Sequence, residues 1–169
     1  MTLEQLNSLS TDAARSEFLR CCGSRRWAEQ MTGRRPFRDV REIHSTAEEV
    51  WNNLTPGDWK EAFAHHPKIG DIKSLRKKFT STTQWATGEQ AGVQQTPERT
   101  LKALADGNKL YESKFGYIFI VCATGKNAGE LLSLLRDRLN NYPADELGIA
   151  AAEQAKITRL RLEKLLEST

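Results

Sequence analysis

The chain has 169 residues, of which 38% are hydrophobic and 28% charged, with a formal net charge of +3 at pH 7. This length fits one globular domain, predicted over residues 1–169. No apolar run approaches the roughly 20 residues of a membrane helix, and no secretory profile opens the sequence, so we expect a cytoplasmic protein without a membrane partner. Three cysteines without C-x-x-C spacing favour a reducing compartment over a disulfide framework or a zinc site.

Capping signals recur along the chain and predict helix after helix. Serine, threonine and asparagine accept hydrogen bonds from the exposed N–H groups of a helix start, and proline fits the first helical position. The predicted starts are Ser10, Ser45 with Glu48 as a capping box, Thr55 with Pro56, Thr96 with Pro97, Asn127 with Glu130, and Pro143. Segment 115–123, rich in aromatic and β-branched residues, is expected to be a buried extended segment or a short helix. The predicted fold class is all-α, a single-domain helical bundle.

Two of the three histidines occur in FAHHPKIGD, residues 63–71. The residue before a proline is driven out of helical geometry, so the helix that begins near Thr55 is predicted to end near His66. His66 would then lie at the entrance of a loop, where an imidazole is suited to general acid–base catalysis. A histidine that only caps the helix is the competing interpretation. The role of His65 is left open.

A second unusual segment is TTQWATGEQAGV, residues 82–93, in which Glu89 is surrounded by neutral residues. A carboxyl group in small and apolar surroundings is a candidate for a raised pKa and a catalytic role. An ordinary exposed glutamate is the alternative. The chain contains no H-E-x-x-H motif, nucleophile elbow, phosphate-binding loop or dinucleotide fingerprint, and no metal site is predicted.

Four motifs in order along the chain resemble one enzyme family, the 2-oxo-4-hydroxy-4-carboxy-5-ureidoimidazoline (OHCU) decarboxylases of urate breakdown. They read HPKIG (66–70), WATGEQAG (85–92), KFGYIFIVCATG (114–125) and KITRLRL (156–162). The resemblance extends from about residue 10 to the end of the chain. It implies an all-α carboxy-lyase that needs no cofactor, is typically a homodimer, and converts OHCU to (S)-allantoin with loss of carbon dioxide.

The resemblance also implies roles for individual residues. His66 would be the catalytic histidine, Glu89 its partner and Arg161 the residue that binds substrate. The residues expected to line the pocket are Pro67, Phe115, Ile118, Phe119 and Ile120. Many family members have serine three residues before the glutamate, where this chain has Ala86, so one polar contact with the substrate is expected to be missing.

Two other functions are compatible with the same residues. A basic helical binding module for nucleic acid or protein would use the arginine-rich stretch SRRWAEQMTGRRPFRDVR, residues 24–41. Solvated helix faces are the simpler interpretation of these charges, and a nucleic-acid partner is not expected. A hydrolase acting on a related ureide would use His66 and Glu89 to activate water. Only decarboxylation would release carbon dioxide.

Overall fold

The computed structural model describes residues 1–67 and 97–167, and every regular element in these ranges is a helix, which confirms the all-α prediction. The helices are α1 (Leu3–Ser8), α2 (Thr11–Cys21), α3 (Arg25–Gly33), α4 (Val40–Asn52), α5 (Pro56–Ala64), α6 (Pro97–Phe115), α7 (Ala128–Leu139) and α8 (Pro143–Leu165). None of these helices is long and apolar enough to cross a membrane.

The chain separates into two compact units. The first comprises Met1–His66 and Ile149–Thr169, and the second comprises Pro67–Gly148. Helix α8 belongs to both, because its first turns lie in the second unit and the remainder in the first. The assignment of residues 1–169 to a single domain stays a prediction.

Most of the predicted helix starts are confirmed by capping hydrogen bonds. The side chain of Ser10 accepts from the Ala13 N–H at the start of α2, and Asn127 accepts from the Glu130 N–H at the start of α7. Thr55 caps α5, whose first residue is Pro56. Helix α6 begins at Pro97, while its predicted cap, Thr96, lies outside the described residues.

The predicted capping box at Ser45 and Glu48 is wrong. Helix α4 begins at Val40. Its cap is Asp39, six residues before Ser45, and the Asp39 side chain accepts a hydrogen bond of 2.8 Å from the Glu42 N–H. Ser45 lies inside this helix and donates its hydroxyl to the Glu42 carbonyl. A serine can satisfy its own hydroxyl in this way, so the capping-box spacing alone does not fix a helix start. Helices α1 and α3 likewise have no counterpart among the predicted elements.

The core of the first unit is organised by three tryptophans whose indole N–H groups each find a backbone carbonyl. Trp27 donates to Ala47 O at 3.2 Å, and Trp51 donates to Ala151 O at 3.0 Å. The second of these bonds joins α4 to α8. Trp59 donates to Trp51 O at 2.9 Å. Because a buried polar group must be hydrogen-bonded, these contacts fix how the helices pack as well as filling the space between them.

The second unit contains the segment that was predicted to be extended. Gly116 ends α6 with a positive φ of 84° and donates its N–H to Glu112 O, a conformation that glycine adopts without strain. Residues 118–123 then run without regular secondary structure. This outcome excludes the short helix over those six residues, and the extended alternative stays a prediction.

A buried ion pair holds this extended segment in place. The Arg138 guanidinium contacts the Glu146 carboxylate at 2.5 Å and donates to Ile120 O at 2.6 Å. The hydroxyl of Tyr111 also donates to Glu146, and the guanidinium lies 4.6 Å from the centroid of the Phe119 ring. Glu146 is fully buried, so its negative charge depends on these donors.

We expect Arg138→Met to lower the free energy of unfolding by about 3–5 kcal/mol, because it leaves the Glu146 carboxylate buried without its cation. Urea denaturation followed by circular dichroism measures the loss. Arg136→Met is the matched control, since Arg136 is an exposed arginine on the same helix. Equal costs for the two substitutions would contradict the structural role of Arg138.

His44 is a buried titratable group in the first unit. Its side chain is 9% exposed, and Nδ1 has no hydrogen-bond partner within the described part of the chain. Burial and the nearby charge of Arg159 lower the pKa of His44, against the opposing effects of Glu163 and Glu48. Glu163 lies 3.4 Å from the Arg159 guanidinium and 3.9 Å from the His44 ring nitrogen Nε2, so its charge is shared with Arg159. The folded protein therefore resists protonation of His44.

Below about pH 6.5 the unfolded chain binds a proton at this position before the folded chain does, so the stability that His44 contributes is lost as the pH falls. We expect His44→Leu to reduce the loss of unfolding free energy between about pH 7.5 and about pH 5.5. Urea denaturation of both proteins at the two pH values provides the comparison. A loss in the variant as large as in the wild type would show that His44 is not responsible.

Candidate active site

The end of helix α5 presents His66 as the sequence predicts. The helix ends at Ala64, His65 is its C-cap, and the His66 N–H donates to Phe63 O at 3.2 Å in a final turn. The His66 side chain is half-buried. Its Nε2 lies 2.5 Å from Oε1 of Gln154, on helix α8. The histidine is thus held by a side-chain contact that the sequence pattern did not indicate.

Gln154 is itself held by a second hydrogen bond. Its side chain is fully buried, and its Nε2 donates to the Thr158 hydroxyl oxygen at 3.1 Å. The Thr158 hydroxyl and the Ser24 N–H also lower the pKa of Cys22 against the larger effect of burial. Two side-chain contacts in sequence therefore connect Thr158, through Gln154, to His66.

His65 secures the same helix end from another side. Its Nδ1 lies 2.7 Å from Gly23 O, and because a carbonyl only accepts, Nδ1 must carry the proton. A Cβ atom at residue 23 would lie 2.1 Å from that nitrogen, so the close approach requires glycine. The role of His65, which the sequence left open, is therefore at least structural: it ties the end of α5 to the residue that follows Cys22.

Arg161 lies on the same face of α8 as Gln154 and Thr158, because the three residues follow the helical spacing i, i+4 and i+7. Its side chain is half-buried, and Nη1 is 3.4 Å from Cys21 O at the carboxyl end of α2. Burial, the largest effect, raises the pKa of Cys21 to about 12 and that of Cys22 to about 11, although Arg161 lowers both. Both thiols are neutral at pH 7, so neither neutralises the guanidinium charge.

The other predicted site residues lie in the second unit. Pro67 is exposed, Phe115, Ile118 and Phe119 are half-buried, and Ile120 is 2% exposed. The Phe115 ring packs against Tyr111 with centroids 4.5 Å apart. The Ile120 side chain thus belongs to the core, and its carbonyl is occupied by Arg138. The role of these five residues in binding substrate stays a prediction.

The predicted site residues therefore divide between the two units. His66 and Arg161 share the first unit, and Pro67 and the segment from Phe115 to Ile120 belong to the second. Glu89 and Ala86 lie outside the described residues. Sequence reasoning missed Gln154 and Thr158. The signal available in the sequence was that both residues are polar and share, by helical spacing, the face of α8 that carries Arg161.

The arginine-rich stretch 24–41, which motivates a nucleic-acid-binding module, is engaged within the first unit. Arg35 donates to the carbonyls of Leu6 and Leu9 at the end of α1, where a cation also complements the helix dipole. Ion pairs join four of the other five arginines to carboxylates: Arg25 to Glu61, Arg26 to Asp58, Arg34 to Glu49 and Arg38 to Glu42. These contacts favour the interpretation of the basic residues as helix faces.

Comparison with known proteins identifies relatives that are named as OHCU decarboxylases or as uric acid degradation proteins. A sequence model of the OHCU decarboxylase family matches residues 7–163. The uric acid degradation bifunctional protein of Arabidopsis thaliana is 38% identical over 158 residues, which are 93% of this chain and 48% of that protein. The chain thus spans about half the length of this relative. An OHCU decarboxylase of Amia calva is 29% identical over 99% of this chain and 95% of its own length.

A solved structure gives the same result. A crystal structure of OHCU decarboxylase in the presence of (S)-allantoin is 39% identical and superposes with a TM-score of 0.73, covering 90% of this chain and 98% of that one. The family model and the fold therefore agree with the resemblance found in the sequence. The chain belongs to the OHCU decarboxylase family.

Proposed function

We propose that this protein catalyses the cofactor-independent decarboxylation of OHCU to (S)-allantoin in urate degradation. Membership of the OHCU decarboxylase family supports the reaction. The observation in the structure that carries the proposal is the side-chain arrangement of the first unit. There the His66 imidazole is held 2.5 Å from Gln154, and Gln154 shares a face of α8 with Arg161.

The reaction requires no oxidant or reductant and no covalent bond between the substrate and the protein. The substrate carries a carboxylate and a hydroxyl on one ring carbon, next to a carbon that is doubly bonded to nitrogen. When the bond to the carboxylate breaks, carbon dioxide leaves and the electron pair is delocalised over the neighbouring C=N group. Protons then join that nitrogen and the neighbouring carbon, the hydroxyl proton is lost, and the ring carbon that carried the carboxylate becomes the carbonyl of allantoin. The protein must bind an anion and move protons at defined positions.

Two residues of the first unit, Arg161 and His66, fit these two tasks. Arg161 offers a planar fork of N–H donors that matches a carboxylate or ureido oxygens, and the neutral thiols beside it leave its charge unneutralised. His66 would act on the hydroxyl or carboxylate end as acid or base. Glu89 would orient His66 or hydrogen-bond the ureido nitrogens. Backbone N–H groups between Phe115 and Ile120 would hold ring oxygens.

Two further properties are part of the proposal. We expect the protein to act as a homodimer, which sedimentation equilibrium of the purified chain tests directly. We also expect it to work in the cytoplasm, which cell fractionation tests. Hydrolysis of a related ureide by the same His66 and Glu89 is the alternative reaction, and release of carbon dioxide from the substrate separates the two.

We expect His66→Ala to lower turnover of freshly generated OHCU by about 10²- to 10⁴-fold, the usual contribution of a general acid or base. Circular dichroism at the wavelengths where (S)-allantoin absorbs follows both rate and handedness. His65→Asn is the matched control, because the asparagine amide can still donate to Gly23 O. Wild-type turnover by a folded His66→Ala protein would defeat the role of His66.

We expect Arg161→Lys to raise KM by about 10- to 100-fold with a smaller change in kcat, because lysine keeps the charge but loses the bidentate fork. The loss corresponds to the roughly 1.5–3 kcal/mol of a hydrogen bond to a charged group. Arg159→Lys, a change of the same kind on another face of α8, is the control. An unchanged KM would rule out substrate anchoring by Arg161.

A further inference from the structure

We propose that Arg138 is a positioning residue, which holds the segment from Phe115 to Ile120 in the conformation that binds substrate. The catalytic part of this role rests on the proposed function, and the structural part concerns the free protein alone. Arg138 lies on α7, outside the four motifs that carry the family resemblance.

The guanidinium of Arg138 connects a buried carboxylate to the backbone of this segment. Its Nε and Nη2 donate to Glu146 Oε2 at 2.8 and 2.5 Å, and its Nη1 donates to Ile120 O at 2.6 Å. Arg138 is 7% exposed and Glu146 is 0% exposed, so water competes little for these donors. Because the guanidinium is planar and rigid, the Glu146 carboxylate determines where the Ile120 carbonyl lies.

The Ile120 carbonyl is an effective point of restraint because residues 118–123 run without helix or strand. The peptide bond between Ile120 and Val121 is trans and planar, so its N–H points opposite to its carbonyl. With the Ile120 carbonyl directed at Arg138, the Val121 N–H is directed away from Arg138. Without this partner the peptide group would be free to rotate, and its rotation would displace the backbone N–H groups just before it.

Aromatic contacts restrain the same segment at both ends. The Phe119 ring centroid lies 4.6 Å from Arg138 Cζ. The Tyr111 ring lies 5.3 Å from the Phe119 ring and 4.5 Å from the Phe115 ring, between centroids. Burial, the largest effect, raises the pKa of Tyr111, so its hydroxyl keeps the proton that it donates to Glu146. One connected network therefore contacts the first residue of the segment and the last two.

Stability alone does not account for a buried ion pair at this place. Removal of one partner leaves the other charge buried and alone, but replacement of both by apolar groups of similar size is often neutral or stabilising. Apolar side chains can therefore fill the space of Arg138 and Glu146. They cannot donate a directed hydrogen bond to the Ile120 carbonyl, and this difference separates positioning from a purely structural role.

A triple substitution makes that separation experimentally. The apolar variant, Arg138→Met with Glu146→Leu and Tyr111→Phe, removes the donor to Ile120 O. It leaves no carboxylate or phenol hydroxyl of this network buried without a partner. We therefore expect it to recover most of the stability that Arg138→Met alone loses.

Leu135→Ala is the matched control. Leu135 is fully buried on the same helix and packs against Gly107 of α6, so its truncation leaves a cavity and lowers stability. It removes no hydrogen bond to the segment. The apolar variant and Leu135→Ala thus differ in which property they change, the restraint on the segment or the packing of α7.

Nuclear magnetic resonance ¹⁵N relaxation tests the structural part without substrate. In the wild type and in Leu135→Ala we expect the amides of residues 118–121 to have order parameters of about 0.85, the value of a rigid backbone. In the apolar variant we expect values below about 0.6. Low values in the wild-type segment, or high values in the apolar variant, overturn the proposal.

Arg138→Lys provides the same comparison if the apolar variant does not fold. Lysine keeps a positive charge beside Glu146 but offers one nitrogen in place of the planar fork. We expect it to retain the ion pair and to release the Ile120 carbonyl, with the same fall in order parameters. A segment as rigid as in the wild type would count against positioning by Arg138.

The reaction tests the catalytic part. We expect the apolar variant to raise KM for OHCU by about 10- to 100-fold with a smaller change in kcat, because displaced backbone donors no longer hold the ring oxygens. Leu135→Ala, assayed at a temperature where it is folded, should keep a KM close to the wild-type value. A wild-type KM in the folded apolar variant would refute the catalytic part.

These experiments separate the inference from the proposed function. A restrained segment that the apolar substitutions release, in a wild-type protein that does not decarboxylate OHCU, would refute the function and leave the positioning of the segment intact. Decarboxylation by the wild type with an unchanged KM in the apolar variant would refute the positioning role and leave the function intact.

Discussion

The abrupt end of helix α5 is the constraint on which the candidate site depends. Pro67 prevents the helix from continuing, so the chain must turn at His65 and His66. A turn of this kind is not rigid by itself, because few backbone bonds remain to define it. The two histidines supply the missing restraints in different directions, His65 through Gly23 O and His66 through Gln154. Together these two contacts fix the position of the His66 imidazole at the end of the helix.

Arg138 in the second unit and Arg161 in the first have different electrostatic surroundings. In the second unit the Glu146 carboxylate is fully buried and is neutralised by Arg138, a pair that holds the segment near Ile120. In the first unit Arg161 lies beside two thiols that remain neutral, and its Nη1 is 3.4 Å from the Cys21 carbonyl oxygen. A paired charge contributes structure, while a charge beside neutral groups is suited to bind an anion. This difference supports the separate roles given to Arg138 and Arg161.

The sequence predicted those features that are set by neighbouring residues. Proline and the capping side chains act within a few residues, which is why the starts of α2, α5 and α7 and the end of α5 were predicted correctly. Ser45 misled the prediction because its hydroxyl found a carbonyl within its own helix. The partner of His66 was missed for another reason. Gln154 is 88 residues away, and only tertiary packing brings the two together.

If the protein forms (S)-allantoin as proposed, the handedness of that product gives a physical reason for this rigidity. The intermediate that follows loss of carbon dioxide is planar, so a proton arriving from either side with equal ease gives both enantiomers. A single enantiomer requires that protonation from one face be faster, and about 2.7 kcal/mol between the two faces already gives roughly 99% of one product. An imidazole that rotated freely would deliver protons from several positions, and the free-energy difference between the two faces would shrink. An imidazole restrained at Nε2 by a buried amide, at a helix end that His65 also anchors, has one direction from which to act. For the proposed reaction, selectivity and rate therefore both require a restrained imidazole, and the contacts of Gln154 and His65 provide such a restraint.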